Sequence, residues 1–352
     1  MRGKKEMSEK EYYDGTKLLS LKDLNGNTPE IYMCTGNRTG GKTTYFNRLL
    51  LNRFKKRQQK FALIYRYNYE LDDVADKFFK DIHTLFFPSD EITSKSRAKG
   101  IYHELFLNDE SCGYALTLNS ADQIKKMSHL FSDVENMFMD EYQSETNHYC
   151  NDEVKKLISV HTSLARGQGK QVKYLPLFMA SNSVSLINPY YSVLEIGNRL
   201  RNDTNFLRGD GFVLEQCFIE SASIAQQESG FNKAFSRDSY VEYSSQNVYL
   251  NDNYAFIETP KGKNKYLATL IYKGQKYSLR EYMDIGIIYC GKNYDESFPF
   301  KLSITTADHN VNYVMLKSNE FFISNMRYYF EKGCFRFKDL QCKEAILTAL
   351  SY

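Results

Sequence analysis

Apolar and polar positions in the first half of the chain predict strands that alternate with helices. Apolar runs at residues 31–35 and 61–66 predict two buried strands. Between them, apolar side chains recur at the three- and four-residue spacing of a helix, at Phe46, Leu49, Leu50 and Phe54. A helical pattern resumes at residues 71–80. This β-α-β-α order predicts an α/β fold with a mainly parallel sheet and covering helices.

The same alternation continues to about residue 199. Residues 134–139 and 175–180 predict two further buried strands, and residues 151–165 have the pattern of a helix between them. Residues 90–118 predict a hairpin inserted into the α/β unit, preceded by a polar, exposed loop. We therefore expect one α/β domain over residues 1–199.

The second half of the chain has a different pattern. Polar stretches predict a linker region at 200–240. Four short strands follow, at 254–259, 265–272, 275–280 and 286–290, and then helices at 319–331 and 338–350. Strands followed by helices predict an α+β domain over 241–352.

Composition narrows the class of protein. The 352 residues are 42% hydrophobic and 15% aromatic, which is ample for packed cores, so we expect a folded, soluble protein. The net charge of +3 permits DNA binding without arguing for it. Seven cysteines without metal-ligand spacing suit a reducing cytoplasm, and the absence of any run of about 18 apolar residues argues against a membrane span.

A phosphate-binding motif lies between the first strand and the first long helix. Residues 36–43 fit G-x-x-x-x-G-K-[ST], in which backbone N–H groups bind phosphates, the lysine reaches the terminal phosphates and the hydroxyl ligates Mg²⁺. Lys42 and Thr43 take these roles, and the implied ligand is a nucleoside triphosphate. The alternative is a glycine turn with an unrelated lysine. The predicted phosphate-binding residues are Gly36, Asn37, Arg38, Thr39, Gly40, Gly41, Lys42, Thr43 and Thr44.

Two carboxylates follow the strand at 134–139. Asp140 and Glu141 would lie at its C-terminal end, where open α/β sheets bind ligands. In a phosphate-loop enzyme, Asp140 would hold Mg²⁺ and Glu141 would polarise the water that attacks the γ-phosphate. The alternative for such a pair is an exposed turn.

Three further sets of residues have both a functional and a purely structural interpretation. Arg166 ends a predicted helix, where it either complements the helix dipole or acts as an arginine finger. Asn182, after the strand at 175–180, is either a γ-phosphate sensor or a turn residue. The basic residues Lys95, Arg97 and Lys99 of the predicted exposed loop either contact DNA phosphates or are solvated.

Four segments together resemble the DNA-packaging ATPases of small, protein-primed tailed phages, the Picovirinae-like podophages. They read GNRTGGKT, VENMFMDEY, SLARGQG and FMASNSVSLINPY. The resemblance covers residues 30–195 and extends more loosely to the C-terminus. It implies a P-loop ATPase of the additional-strand, catalytic-glutamate (ASCE) class that uses ATP and Mg²⁺. Lys42 and Thr43 match the phosphate and metal residues.

Further roles rest on the same resemblance. Asp140 and Glu141 match the Walker B pair, Arg166 matches an arginine supplied to a neighbouring subunit, and Asn182 falls on the segment that links hydrolysis to motion. The implied partners are double-stranded DNA and the portal of a procapsid, reached by a homo-oligomeric ring of usually five subunits. A structural RNA is a further candidate partner. The implied location is the host cytoplasm rather than the mature virion.

The C-terminal region allows rival functions. Related large terminases carry an RNase H-like nuclease here, which needs carboxylates that converge on two metals. Asp284, Asp295 and Asp308 do not follow convincing strands, so the resemblance implies a degenerate nuclease fold that grips DNA or portal. The alternatives are a terminase with active nuclease, a helicase, and a nucleotide-gated binding module without turnover.

Overall fold

A computed structural model describes residues 12–351 except 146–147, 168, 170, 185, 187, 198, 201–203 and 235–255. The chain forms two compact units. The first comprises Met1–Val184 and Thr204–Val248, and the second comprises Ser185–Asp203 and Tyr249–Tyr352. Within the described residues, no helix is both long enough and apolar enough to cross a membrane.

The first unit is built on a nine-stranded sheet. Its strands are β1 (Ile31–Gly36), β2 (Lys60–Tyr65), β3 (Ile92–Arg97), β4 (Tyr102–Leu107), β5 (Glu110–Thr117), β6 (Val134–Asp140), β7 (Leu177–Asn182), β8 (Phe206–Arg208) and β9 (Phe212–Cys217). Its helices are α1 (Thr16–Ser20), α2 (Lys42–Arg57), α3 (Val74–Phe86), α4 (Ala121–Lys126), α5 (Glu153–Leu164), α7 (Glu220–Glu228) and α8 (Gly230–Ala234), while α6 (Pro189–Val193) belongs to the second unit.

Parallel strands form the centre of this sheet. The strand order is β3-β4-β5-β2-β6-β7-β1-β9-β8, and the six strands from β5 to β9 in that order are parallel. The outer strands β3, β4 and β8 are antiparallel to their neighbours. This arrangement confirms the predicted α/β fold with a mainly parallel sheet. It also brings the C-terminal ends of β1, β6 and β7 to one edge.

Helix α2 packs on the centre of the sheet through an apolar face that includes aromatic side chains. Phe46 stacks on Phe138 of β6 and Phe178 of β7, with ring centroids 5.4 and 5.6 Å apart. Leu50 and Phe54 are also buried, as the helical spacing predicted. The side chains of α2 thereby fix the start of the helix above the C-terminal ends of the strands.

The sheet continues beyond the predicted domain end at residue 199. Strand β9 pairs in parallel with β1, and Ile31 lies opposite Phe212. The range 200–240, predicted as a linker region, therefore contains strands β8 and β9 and helices α7 and α8. The apolar run Phe212–Cys217 is buried because it fills the position beside β1.

The predicted loop that carries Lys95 and Arg97 is instead strand β3. It pairs with β4 along its whole length, from Ile92 opposite Leu107 to Arg97 opposite Tyr102. Its polar sequence reflects its place at the outer edge of the sheet, where its last three residues are exposed. The prediction of a hairpin for the following segment is confirmed by β4 and β5.

The second unit contains a six-stranded mixed sheet, in the order β14-β13-β10-β11-β12-β15. The strands are β10 (Lys265–Tyr272), β11 (Gln275–Tyr282), β12 (Ile287–Gly291), β13 (Lys301–Ser303), β14 (Val314–Met315) and β15 (Phe335–Phe337). The two helices that follow the antiparallel strands are α9 (Glu320–Glu331) and α10 (Leu340–Leu350). Residues 254–255 of the predicted first strand lie outside the described residues, and Ile257 forms a single parallel bridge with Phe337.

Two of the three aspartates considered for a nuclease site accept hydrogen bonds from nearby backbone or hydroxyl groups. Asp308 accepts backbone hydrogen bonds from Lys273 and Gly274 at 2.9 and 2.8 Å and so holds the β10–β11 turn. Asp295 accepts from the backbone and hydroxyl of Ser297. Among the described residues, no three His, Cys, Asp or Glu side chains converge as a metal site.

Candidate active site

The predicted phosphate loop connects β1 to α2. Gly41 has φ +86°, a left-handed conformation that favours glycine, and it immediately precedes the first residue of the helix. A Cβ atom on Gly36 would lie 2.3 Å from the carbonyl oxygen of Cys217 on β9. Both glycines are therefore required by the backbone path, and the loop presents the N-terminus of a sixteen-residue helix, α2.

Asn37 anchors this loop from behind. Its side-chain amide donates to the carbonyl oxygen of Ile219 and accepts from the N–H of Ile219, both at 2.9 Å. The side chain is only 2% exposed, so it points into the protein and not into the cleft. The Asn37 side chain is therefore not available to a ligand in the cleft. The Asn37 backbone carbonyl oxygen accepts a 2.7 Å hydrogen bond from Nζ of Lys42.

Thr43 and Asp140 face each other at the end of β6. Thr43 Oγ1 donates to Asp140 Oδ2 at 2.8 Å. Burial raises the pKa of the Asp140 carboxyl to about 6, the Thr43 hydrogen bond opposes this shift, and the Glu141 charge adds to it. A hydroxyl and one carboxylate fit Mg²⁺, which prefers oxygen ligands and usually takes the rest from phosphates and water. A cation would also relieve the cost of ionising Asp140.

Glu141 directly follows the strand in a left-handed conformation, with φ +53°. Its side chain is exposed and lines the cleft. Arg66 fixes the backbone here, because its guanidinium donates to the carbonyl oxygens of Glu141 and Tyr142 at 2.8 and 2.7 Å. Arg66 also forms a 3.0 Å ion pair with Glu153 of α5, and these two residues are 7% and 3% exposed. Arg66 was not predicted from the sequence. The feature that could have identified it is a charged residue directly after a buried strand.

A second polar network lies at the rim of the cleft. Asn182, at the end of β7, lies opposite Gly36 and donates from Nδ2 to Glu145 Oε1 at 3.2 Å. Arg38 of the phosphate loop forms an ion pair with the same Glu145 carboxylate. Glu145 was also missed from the sequence. It connects the loop to the strand tip proposed to sense phosphate.

These residues border one cleft with a volume of about 750 Å³, a size typical of ligand-binding clefts. Of the predicted binding residues, six line it, and Asp140, Glu141 and Asn182 do too. The six are Thr39, Gly40, Gly41, Lys42, Thr43 and Thr44. Eight other lining residues were not predicted: Tyr12, Tyr13, Tyr45, Arg48, Asp81, Leu85, Phe86 and Ser181.

Arg166 lies far from this cleft. The next residue, Gly167, packs against Ser132, so close that a Cβ atom on it would be 2.9 Å from the Ser132 side chain. Ser132 lies two residues before β6, and Asp140 is the last residue of β6, which by itself extends about 20 Å at roughly 3.3 Å per residue. Arg166 is exposed and has no hydrogen-bond or ion-pair partner among the described residues. It therefore cannot reach the cleft of its own chain in this conformation.

The basic residues of β3 are also distant from the cleft. Strand β3 is four strand positions from β6, the nearest strand that borders the cleft, or about 19 Å at roughly 4.8 Å per strand. Arg97 forms a 2.7 Å ion pair with Glu104 of β4, and Lys95 lies over the Phe106 ring at 4.6 Å. Lys99 is exposed.

Comparison with known proteins gives matches over almost the whole chain. The family model described as Podovirus DNA encapsidation protein (Gp16) matches residues 7–350. The DNA packaging proteins of Bacillus phages PZA and phi29 are each 24% identical over 337 residues, which is 94% of this chain and 94% of each relative.

Solved structures are similar over the same extent. One is a chain of the bacteriophage phi-29 viral genome packaging motor assembly, with a TM-score of 0.57 and 20% identity over 94% of this chain and 96% of that chain. Another is a chain of the phi-28 gp11 DNA packaging motor, with a TM-score of 0.60 and 14% identity over 97% and 98% of the two chains. At these identities the similarity shows a shared fold.

Proposed function

Because the chain belongs to the podovirus DNA encapsidation protein (Gp16) family, we propose that it is a genome-packaging motor that hydrolyses ATP to move double-stranded DNA through the portal into a procapsid. The observation that carries the ATPase assignment is the cleft in which Lys42, the Thr43–Asp140 pair and Glu141 meet. The names of the relatives, DNA packaging proteins of Bacillus phages PZA and phi29, support the DNA substrate.

ATP binding begins at the N-terminus of α2. The backbone N–H groups of the loop would donate to the phosphates, and Lys42 would exchange its hydrogen bond with the Asn37 carbonyl oxygen for bonds to the terminal phosphates. Bound Mg²⁺, held by Thr43 and Asp140, would neutralise phosphate charge. The anchoring of Asn37 to Ile219 keeps the loop in place while Lys42 changes partner.

Hydrolysis requires a base for the attacking water. Glu141 is the candidate because its side chain lines the cleft beside Asp140 and Arg66 holds its backbone rigidly. Its carboxylate would take the proton of the water as the water attacks the γ-phosphate. Asn182 would donate to the γ-phosphate in place of its bond to Glu145, so that hydrolysis changes the contacts of the loop after β6.

Arg166 would act on a neighbouring subunit. An exposed guanidinium that has no partner among the described residues and lies about 20 Å from its own cleft suits a ring in which it enters the cleft of the next copy. We propose a homo-oligomeric ring, with five subunits as the working number, docked on the procapsid portal in the host cytoplasm. A structural RNA remains a candidate partner for docking.

DNA contacts would be made mainly to phosphates, because a motor that follows a duplex must accept every sequence. Lys95 and Lys99 are better candidates than Arg97, whose charge is balanced by Glu104. Changing both lysines to alanine should reduce the salt slope of DNA binding by about two, one for each phosphate contact, and adding Arg97→Ala should change it less. An unchanged slope would exclude β3 from the DNA path. The second unit would grip DNA or portal and not cut DNA.

A packaging assay tests the proposed function directly. Purified procapsids with portal, unit-length DNA, Mg²⁺ and ATP are mixed with the protein, and DNA that survives nuclease treatment is measured. We expect protection that requires ATP and is lost in Lys42→Ala. Strand separation without procapsid would indicate a helicase, and Mg²⁺- or Mn²⁺-dependent cutting of plasmid DNA would indicate a nuclease. Nucleotide binding without phosphate release would indicate a binding module.

A further inference from the structure

The cleft extends beyond the phosphate loop to side chains of the segment before α1 and of α2 and α3. Tyr12, Tyr45 and Phe86 contribute aromatic rings to this end of the cleft. We propose that this end binds the base of the nucleotide, that Tyr12 is the ring on which the base stacks, and that the site prefers purine over pyrimidine triphosphates. The inference rests on the proposed ATPase function and adds a residue for base binding.

Tyr12 lies directly beside the start of α2. A Cβ atom built on Gly41 would be 3.3 Å from Cδ1 of Tyr12, so the ring stands next to the residue that precedes Lys42. The ring is nevertheless 68% exposed. An aromatic ring that borders a phosphate loop and keeps most of its surface in solvent is available to a base joined to phosphates in that loop.

The segment that carries Tyr12 is fixed by its neighbour. The backbone N–H of Tyr13 donates to the carbonyl oxygen of Gly40 at 2.8 Å, which ties the segment to the phosphate loop itself. The Tyr13 hydroxyl donates to the buried Glu215 of β9 at 2.7 Å, and its ring meets the Tyr45 ring edge to face at 5.3 Å. Tyr13 is therefore a positioning residue, and Tyr12 is held at a defined place beside the loop.

The same cleft has a second flat surface. The Arg48 guanidinium lies over the Phe86 ring, 4.1 Å from its centroid, which joins α2 to the end of α3. Arg48 is four residues after Thr44, on the same face of α2 as the end of the phosphate loop. A planar base thus has an aromatic ring and a stacked guanidinium among the surfaces available to it, and both interact with π systems.

Stacking has a consequence for substrate choice. Every base has a π face, but a two-ring purine buries more area on a tyrosine ring than a one-ring pyrimidine does. ATP and GTP should therefore displace a fluorescent ATP analogue at lower concentrations than CTP and UTP do. Inorganic tripolyphosphate, which has the phosphates but no base, should bind through the loop alone.

The experiment compares three variants of the full chain by calorimetry, with Mg²⁺ and either ATP or tripolyphosphate. Tyr12→Ala removes the ring and Tyr12→Phe keeps it. Tyr69→Ala is the matched control, because Tyr69 is also 68% exposed but does not line the cleft. We expect Tyr12→Ala to weaken ATP binding by about 5- to 150-fold, the range of a lost base–aromatic stack, and to leave tripolyphosphate binding unchanged. Tyr12→Phe and Tyr69→Ala should bind both ligands as the unaltered chain does.

Each alternative result has one meaning. If Tyr12→Ala binds ATP as tightly as the unaltered chain, the base does not stack on Tyr12 and the inference is overturned. If Tyr12→Ala loses ATP and tripolyphosphate equally, Tyr12 shapes the phosphate loop and the inference is again overturned. If the unaltered chain binds neither ligand, the proposed ATPase function itself fails.

Discussion

Replacing Arg66 with methionine should destabilise the first unit strongly, although Arg66 touches no expected ligand. The change leaves the Glu153 carboxylate, only 3% exposed, without its ion-pair partner. It also removes the side-chain donors to the carbonyl oxygens of Glu141 and Tyr142. Removing one partner of a buried pair costs about 3–5 kcal/mol, because the remaining charge is buried without an opposite charge. The Glu153 carboxylate would keep its 2.8 Å hydrogen bond from the Cys150 N–H.

The expected cost corresponds to a large thermal shift. In a domain of roughly 150–250 residues, 1 kcal/mol lowers Tm by about 2–4 °C, so Arg66→Met should lower it by about 6–20 °C. Differential scanning calorimetry and urea unfolding measure the change. The matched control is Arg97→Met, which breaks an ion pair of similar length whose two side chains are 43% and 19% exposed. That surface pair should contribute no more than about 1 kcal/mol.

A double variant separates the buried charge from lost packing. Arg66→Met with Glu153→Met removes both charges and should recover part of the lost stability, because apolar side chains of similar volume can replace a buried pair. A double variant as unstable as Arg66→Met alone would show that the unpaired Glu153 is not the cause. A shift in Arg66→Met no larger than that in Arg97→Met would refute the reasoning altogether.

The remaining predictions concern the cleft. Lys42→Ala should lose ATP binding, whereas Glu141→Gln should bind ATP and Mg²⁺ but hydrolyse ATP roughly 10²-fold or more slowly, since its amide cannot act as a base. Equal loss of ATP binding in both variants would contradict these roles. Arg166→Ala should lose about 10³- to 10⁵-fold in hydrolysis rate, and mixing it with Glu141→Gln should restore some activity, because mixed rings contain interfaces with both groups intact. If rings that exchange subunits show no such rescue, Arg166 does not act on the neighbouring subunit. In EDTA without nucleotide, Asp140 keeps its proton in the folded state up to about pH 6, above its ordinary pKa of 3.8. Stability should therefore fall as pH rises from about 4 to 6, and urea unfolding of Asp140→Asn should show a smaller fall over that range.

The parts of the site that sequence reasoning predicted are local in the chain. The phosphate loop and the Asp140–Glu141 pair each occupy consecutive positions next to an apolar strand, so their spacing alone identifies them. The family prediction, which rests on such segments, is confirmed by the match over residues 7–350. The roles of the individual site residues, Arg166 among them, stay predictions.

What sequence reasoning missed depends on contacts between distant residues. Asn37 meets Ile219 across 182 positions, and Arg38 meets Glu145 across 107. No period or spacing in the chain records such a contact. Strand β3 was missed for a different reason: an edge strand needs no apolar alternation on its exposed residues, so its sequence resembles that of a loop.

The position of β9 beside β1 affects how the chain can be divided. A fragment that ends at residue 199 would lack β8, β9 and Ile219, although it would contain every residue of the cleft. Strand β1 would then become an edge with unpaired N–H and C=O groups, and the amide of Asn37 would lose its partners. An autonomous ATPase fragment must therefore extend through α7, and one cut at residue 199 is expected to self-associate through its open edge.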